Sequence, residues 1–279
     1  MPVDAPRLAG GRDDIERAHL LDPEDRSFTI ARYPVSPDLD DLARRFWVPV
    51  WDVPPGVRAP QRVLQYPVCL VVISNTYARF YGVMSGVSET VLEGHGWAVG
   101  VMLQPAAGYA ASQAPVRRLT DRWVELADVA GLPGTGLTRE VRAAMAADPE
   151  SAEAHTTARR AVEAALRPLL PVDEEGLLVN AVVGHVEHTP DLLRVEELCA
   201  RFDISERALQ RLLSRRIGLS PTWLIRRRRL HEAADRLRDA GPSLSGIAAD
   251  LGYADQPHFT RDFKAATGLT PGQFAARFR

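Results

Sequence analysis

Lysine is almost absent from this 279-residue chain, which carries one, Lys264. A P-loop needs a Gly-Lys-Ser/Thr run and a Schiff-base enzyme needs a pocket lysine, so neither can be built before the last sixteen residues. The run GLPGTG (Gly131 to Gly136) is therefore linker or turn rather than a phosphate cradle. Cysteine is scarce too: Cys69 and Cys199 make no metal or redox spacing and read as buried thiols. No stretch approaches a membrane span, and the first 27 residues are polar and charged without an apolar signal core. The expectation is a cytoplasmic protein with no membrane partner. Between residues 28 and 131 the only histidine is His95, whereas a cupin-type metal enzyme wants several histidines and an acid converging. His185 and His188 sit i, i+3 with no apparent third ligand, and a helix C-terminus favours histidine for its dipole anyway. No catalytic residue, metal or cofactor is expected.

What is present is ordinary in bulk and uneven in placement. Apolar residues make up 46% and charged residues 25%, as in soluble globular proteins, and the length accommodates two domains. From residue 180 onward there are 16 basic and 12 acidic residues, against 18 and 24 before it. A mildly basic C-terminal module beside an acidic partner fits a nucleic-acid-binding domain joined to something that is not one.

The C-terminal module contains a repeat. LCARFDISERALQRLLSRRIGLSP (Leu198 to Pro221) aligns with IAADLGYADQPHFTRDFKAATGLTP (Ile247 to Pro271). Leu209 matches Phe259, Leu213 matches Phe263, Gly218 matches Gly268 and Pro221 matches Pro271. Each copy has helix-turn-helix grammar. A short helix stops at Asp203 or Gly252, residues that tolerate positive φ, and Ser205 or Asp255 caps a second helix. In the first copy Leu209, Leu212 and Leu213 share the inner face, while Arg207, Gln210, Arg211 and Ser214 share the outer one. In the second, Phe259 and Phe263 face in, Thr260, Arg261 and Lys264 face out, and Gln256 and His258 lie near the N-terminal end. Arginine pairs with guanine, glutamine with adenine, and threonine offers a hydroxyl or a methyl, so such a face suits base reading.

This stretch resembles the double helix-turn-helix domain of the AraC/XylS family of bacterial transcription regulators, most closely in IAADLGYADQPHFTRDFKAATGLTPGQF (Ile247 to Phe274). The likeness covers roughly the last hundred residues. It departs from the family in the first copy, where Asp203 stands for a common glycine and Leu213 for a common phenylalanine. The resemblance implies that Arg207, Gln210, Arg211, Gln256, His258, Thr260 and Arg261 face DNA. ARYPVSPDLDDLARRFW (Ala31 to Trp47), VGVMLQPAAGYAA (Val99 to Ala111) and LTDRWVELADVAG (Leu119 to Gly131) resemble the N-terminal domain of a poorly characterised branch of that family. A cupin-like sensor is implied.

The residues give an α+β protein of two domains: a small antiparallel β-barrel, sandwich or cupin-like domain with flanking helices, then an all-α tandem helix-turn-helix. The expected divisions are a flexible leader at 1–27, a β-rich sensor at 28–131, a helical connector at 132–178 and the DNA-binding domain at 179–279. Strands are expected at 28–33, 48–52, 68–73, 77–84, 89–92 and 97–103, with one helix at 37–46 that puts Leu39, Leu42 and Phe46 on one face. Helices are expected at 138–147, 152–169 and 173–188, and one long helix at 221–240 joins the two repeats. The arginines at 226–229 span all its faces, so some contact phosphate while others pair with Glu232 or Asp235. Trp51, Tyr66, Trp97, Tyr109 and Trp123 are candidates to line an effector pocket, or simply core aromatics.

The expected function is sequence-specific binding of double-stranded DNA by a transcription regulator answering to an unidentified small molecule, and not an enzyme. The alternatives are a sensor or scaffold acting through protein contacts and, further off, a cupin-type enzyme. RNA polymerase and a second copy of the chain stay open as partners.

Overall fold

The computed structural model describes residues 25–239 and 243–278. Most of the expected leader, and the end of the long helix at residue 240, lie outside them. The chain runs β1 (Phe28–Pro34), β2 (Ala43–Asp52), β3 (Ala59–Val63), β4 (Leu70–Ser74), β5 (Ala78–Tyr81), β6 (Ser88–Leu92) and β7 (His95–Leu103). After α1 (Ala107–Ser112) and β8 (Trp123–Glu125) come α2 (Gly134–Met145), α3 (Ala152–Leu166) and α4 (Glu174–His188). The last part is helical: α5 (Val195–Phe202), α6 (Glu206–Arg216), α7 (Pro221–Arg238), α8 (Leu244–Asp250), α9 (Gln256–Thr267) and α10 (Pro271–Phe278). No helix among the described residues is long and apolar enough to cross a membrane.

The β domain is a six-stranded antiparallel sheet, in order β1-β2-β7-β4-β5-β8, with a separate ribbon of β3 and β6. Alternation sorts its side chains cleanly. Phe46, Val48, Val71, Ile73, Phe80, Val99, Val101 and Leu103 point to one face and enter the main core. Trp47, Trp51, Leu70, Val72, Ala98, Met102 and Tyr81 point to the other, beneath the ribbon.

The expected helix at 37–46 is corrected. Only Pro37–Leu39 form a 3-10 turn, and Ala43 onward is strand. Leu39, Leu42 and Phe46 are fully buried as the helical spacing implied. The same three positions also satisfy a turn followed by an alternating strand, and ladder pairing with β1 and β7 decides it. β3 and β8, absent from the expected strands, are short and mostly exposed or half-buried, so they carry almost no apolar signal.

The main core does not stop where the sequence suggested domain limits. It continues from the sheet through Val141, Val162, Val179, Val183 and Val186 into Leu198, Leu209, Leu213, Leu224 and Ile225. The first helix-turn-helix is thus packed onto the connector and the β domain. Arg216 pairs with Asp173 and Glu175 at the start of α4, and Thr120 Oγ1 donates to Gly218 O at 3.2 Å. The second unit has its own core, built on Phe259, Phe263 and Phe274 with Leu230, Ala234 and Leu237 from α7.

Candidate nucleic-acid interface

Each copy folds as the repeat dictates. Asp203 takes φ 49° and Gly252 takes φ 71°, the left-handed turns between the paired helices. Ser205 Oγ accepts from Ala208 N at 3.3 Å and Asp255 Oδ1 from His258 N at 2.6 Å, so both second helices start on a side-chain cap. Leu209, Leu213, Phe259 and Phe263 are 0% exposed, which fixes the rotation of α6 and α9. Arg207, Gln210 and Arg211 on α6, and Gln256, His258 and Arg261 on α9, are left exposed; Thr260 is half-buried. Gln210 and Arg211 hold the places on α6 that Thr260 and Arg261 hold on α9.

Two of these side chains have local partners. Gln210 Nε2 donates to Glu206 Oε1 at 2.9 Å, and the His258 ring stands edge-on to Tyr253 with centroids 5.3 Å apart. Behind α9 lies a brace that sequence reasoning missed. Asp262 accepts from Arg226 Nε at 2.9 Å and from the Tyr253 hydroxyl at 3.2 Å, while Arg229 lies over the Tyr253 ring at 3.9 Å. Burial first, and the Asp262 charge second, push the Tyr253 hydroxyl well above its usual range, so it stays a donor. A tyrosine, a carboxylate and two arginines in different segments leave no periodic trace, which is why the pattern was silent.

The four arginines at 226–229 divide by face, and Arg228 pairs with Glu232 as expected. Arg226 goes to Asp262. Arg228 is buried, donating to Glu232 Oε2 at 3.0 Å and to Leu192 O at 2.9 Å. Arg227 is buried against the β domain, donating to Ser85 O and to Gly86 O at 3.3 Å, and burial pulls its pKa down to about 10. Arg229 stacks on Tyr253.

The β domain contains a cavity of about 560 Å³ between the outer sheet face and the ribbon. Trp47 and Trp51 lie flat across Gly100 and Gly96, their ladder partners on β7, where any Cβ would come within 2.2 and 2.3 Å of the rings. Tyr66, Tyr77, Tyr81, Leu70, Val72 and Met102 continue the apolar lining. Arg79 stands at one end, stacked on Trp123 at 3.7 Å and over Tyr77 at 4.7 Å. Of the expected effector residues, Trp51, Tyr66 and Trp123 line this cavity; Trp97 and Tyr109 are corrected. Trp97 points to the opposite sheet face and joins the main core, since 97 and 98 alternate. Tyr109, on α1, packs against that core with the Arg216 guanidinium 4.3 Å above its ring. Trp47, Gly96 and Gly100 were the missed signal: two tryptophans four apart on one strand and two glycines four apart on another.

Cys69 is buried, which raises its thiol pKa to about 12, and Cys199 is half-buried; both are free. Among the described residues no three His, Cys, Asp or Glu side chains are gathered to hold a metal ion.

A helix-turn-helix family profile matches residues 198–277, the paired units and their capped second helices. The chain carries a helix-turn-helix domain. Ahead of it, residues 31–125 match a domain family of unknown function, DUF6597. The chain is similar to the transcriptional activator RhaS of Escherichia fergusonii, 34% identical over 94 residues, covering 33% of this chain and 34% of that protein. An uncharacterised HTH-type transcriptional regulator, YfiF of Bacillus subtilis, is 27% identical over 110 residues, covering 39% of this chain and 35% of its own length. The chain therefore spans about a third of these relatives. A solved structure of a probable AraC family regulator from Rhodopseudomonas palustris shares 30% identity over 35% of this chain and 94% of its own, with a TM-score of 0.33.

Proposed function

We propose that the chain is a cytoplasmic, sequence-specific transcription regulator, not an enzyme, that reads double-stranded DNA with both helix-turn-helix units and answers to a small effector in the β-domain cavity. One observation carries the reading. Two capped helices in the same repeat register bury Leu209, Leu213, Phe259 and Phe263 and leave Arg207, Gln210, Arg211, Gln256, His258 and Arg261 in solvent, with Thr260 half-exposed. Joined by α7, α6 and α9 would enter successive major grooves about one helical turn apart. Arg207, Gln210 and Arg211 would read one groove and Gln256, His258, Thr260 and Arg261 the other.

The cavity supports the second half of the reading. Its wall is mainly aromatic and aliphatic, and its carboxylates are engaged: Glu89 pairs with Arg62 at 2.8 Å and Asp121 accepts from Ser85. A flat, largely apolar molecule suits it better than a polyol, which needs a partner for every hydroxyl. A gel shift of the full chain on the duplex upstream of its own gene tests the first half. A specific shift that weakens steeply with salt is expected. Absence of any preferred duplex would favour a scaffold acting through protein contacts.

A further inference from the structure

The ribbon that roofs the cavity has a second side. Gln61, Val63 and Gln65 face the cavity, and strand alternation turns Leu64 the other way. Leu64 is 0% exposed and sits in the core of the second helix-turn-helix unit, with Leu230, Ala234, Leu237 and Phe259. Val87, just before the ribbon's other strand, lines the cavity and packs on the same core. Two residues after Leu64, Tyr66 also lines the cavity, and its ring meets buried His231 of α7 edge-on at 4.4 Å. The loop before β6 completes the seam. Trp223 Nε1 donates to Ser85 O at 3.3 Å, Arg227 donates to Ser85 O and Gly86 O, and the cavity residue Asp121 takes Ser85 N and Oγ, both at 2.7 Å.

We propose that this ribbon is a wall common to the effector cavity and the second helix-turn-helix unit, so that a molecule filling the cavity holds that unit docked. The inference rests on the cavity being the effector site. A bound molecule touches Val63, Gln65, Tyr66 and Val87 only while the ribbon lies over the sheet, and that is the arrangement that puts Leu64 in the second core. It therefore binds the docked state better, and a ligand shifts an equilibrium by that difference alone. Coupling is reciprocal: whatever loosens Leu64 must weaken binding in the cavity by the same factor. Because α9 is seated on that core, the orientation of the second DNA-reading helix answers to the cavity.

The test uses the full chain and 8-anilinonaphthalene-1-sulfonate as an apolar aromatic probe, followed by energy transfer from tryptophan. Hydrogen–deuterium exchange of peptides over residues 244–267 is measured with and without it. Saturating probe is expected to slow that exchange about fivefold or more, and Leu64→Ala to weaken probe affinity by a similar factor. Ala98→Phe, which fills the cavity floor, should abolish both effects. Arg227→Gln, which leaves every cavity side chain in place, gives the same reading should Leu64→Ala not fold by circular dichroism. Exchange indifferent to the probe, with binding still lost in Ala98→Phe, overturns the common wall and leaves the effector cavity standing. Binding that survives Ala98→Phe overturns the cavity reading and this inference with it.

Discussion

Removing the Asp262 carboxylate should loosen the second unit without touching the surface proposed to face DNA. Asp262 has 14% side-chain exposure and holds two groups from other segments, Arg226 of α7 and Tyr253 before α9. Arg226 is 48% exposed, so its ion pair is screened and is worth about 0.5 kcal/mol. The Tyr253 hydroxyl belongs to a residue only 6% exposed, and its bond to a charged acceptor counts for roughly 1.5 kcal/mol, the low end at 3.2 Å. Asp262→Ala should therefore cost about 2 kcal/mol. Asp262→Asn keeps an acceptor for the hydroxyl and should cost less than half of that. Urea denaturation followed by far-UV circular dichroism gives both values. Affinity for the preferred duplex should fall in the same order, because α9 loses its seat, while the salt slope stays unchanged. A wild-type denaturation midpoint for Asp262→Ala, or equal damage from the two variants, would refute the brace.

Arg261→Ala should weaken binding by about 1–3 kcal/mol at one base position and relax preference there, read by competition among single-base variants of the site. A uniform loss over all sequences would make Arg261 a phosphate contact instead. Acid should loosen the first unit from α4. Hydrogen bonds from Arg216 hold the Asp173 and Glu175 carboxyls below the usual range, against burial acting the other way. With folded-state values lowered, this contribution is full above about pH 4 and is lost as pH falls through the lowered values. Near-UV circular dichroism should show that loss in the wild type, and Arg216→Gln should flatten it. Gly100→Ala places a Cβ on the Trp47 ring and should tilt the indole off the sheet, changing tryptophan emission and reducing probe binding in the cavity.

The paired units were legible because two periodic faces, two caps and two turn residues recur in one register, and each is a local requirement. Leu209, Leu213, Phe259 and Phe263 buried where the helical spacing put them, and Ser205 and Asp255 became the caps. The β domain was legible as strands but not as surfaces. Trp51 and Trp97 look alike in sequence, yet strand pairing sends one to the cavity and the other to the main core. Leu64 shows the limit most plainly. It reads as one apolar residue beside a polar ribbon, and only the folded chain places it in a core with residues of α7 and α9. Arg227 is similar: a run of four arginines suggests phosphate, while the helix's rotation turns one of them onto carbonyls of the β domain.

The central claim is that both units read DNA together, and selection of bound duplexes from a random pool tests it most directly. The full chain should enrich two short conserved blocks with centres about one helical turn apart. Arg211→Ala should degrade one block and Arg261→Ala the other. Enrichment of a single block, unaffected by one of the two substitutions, or of no block at all, would contradict it.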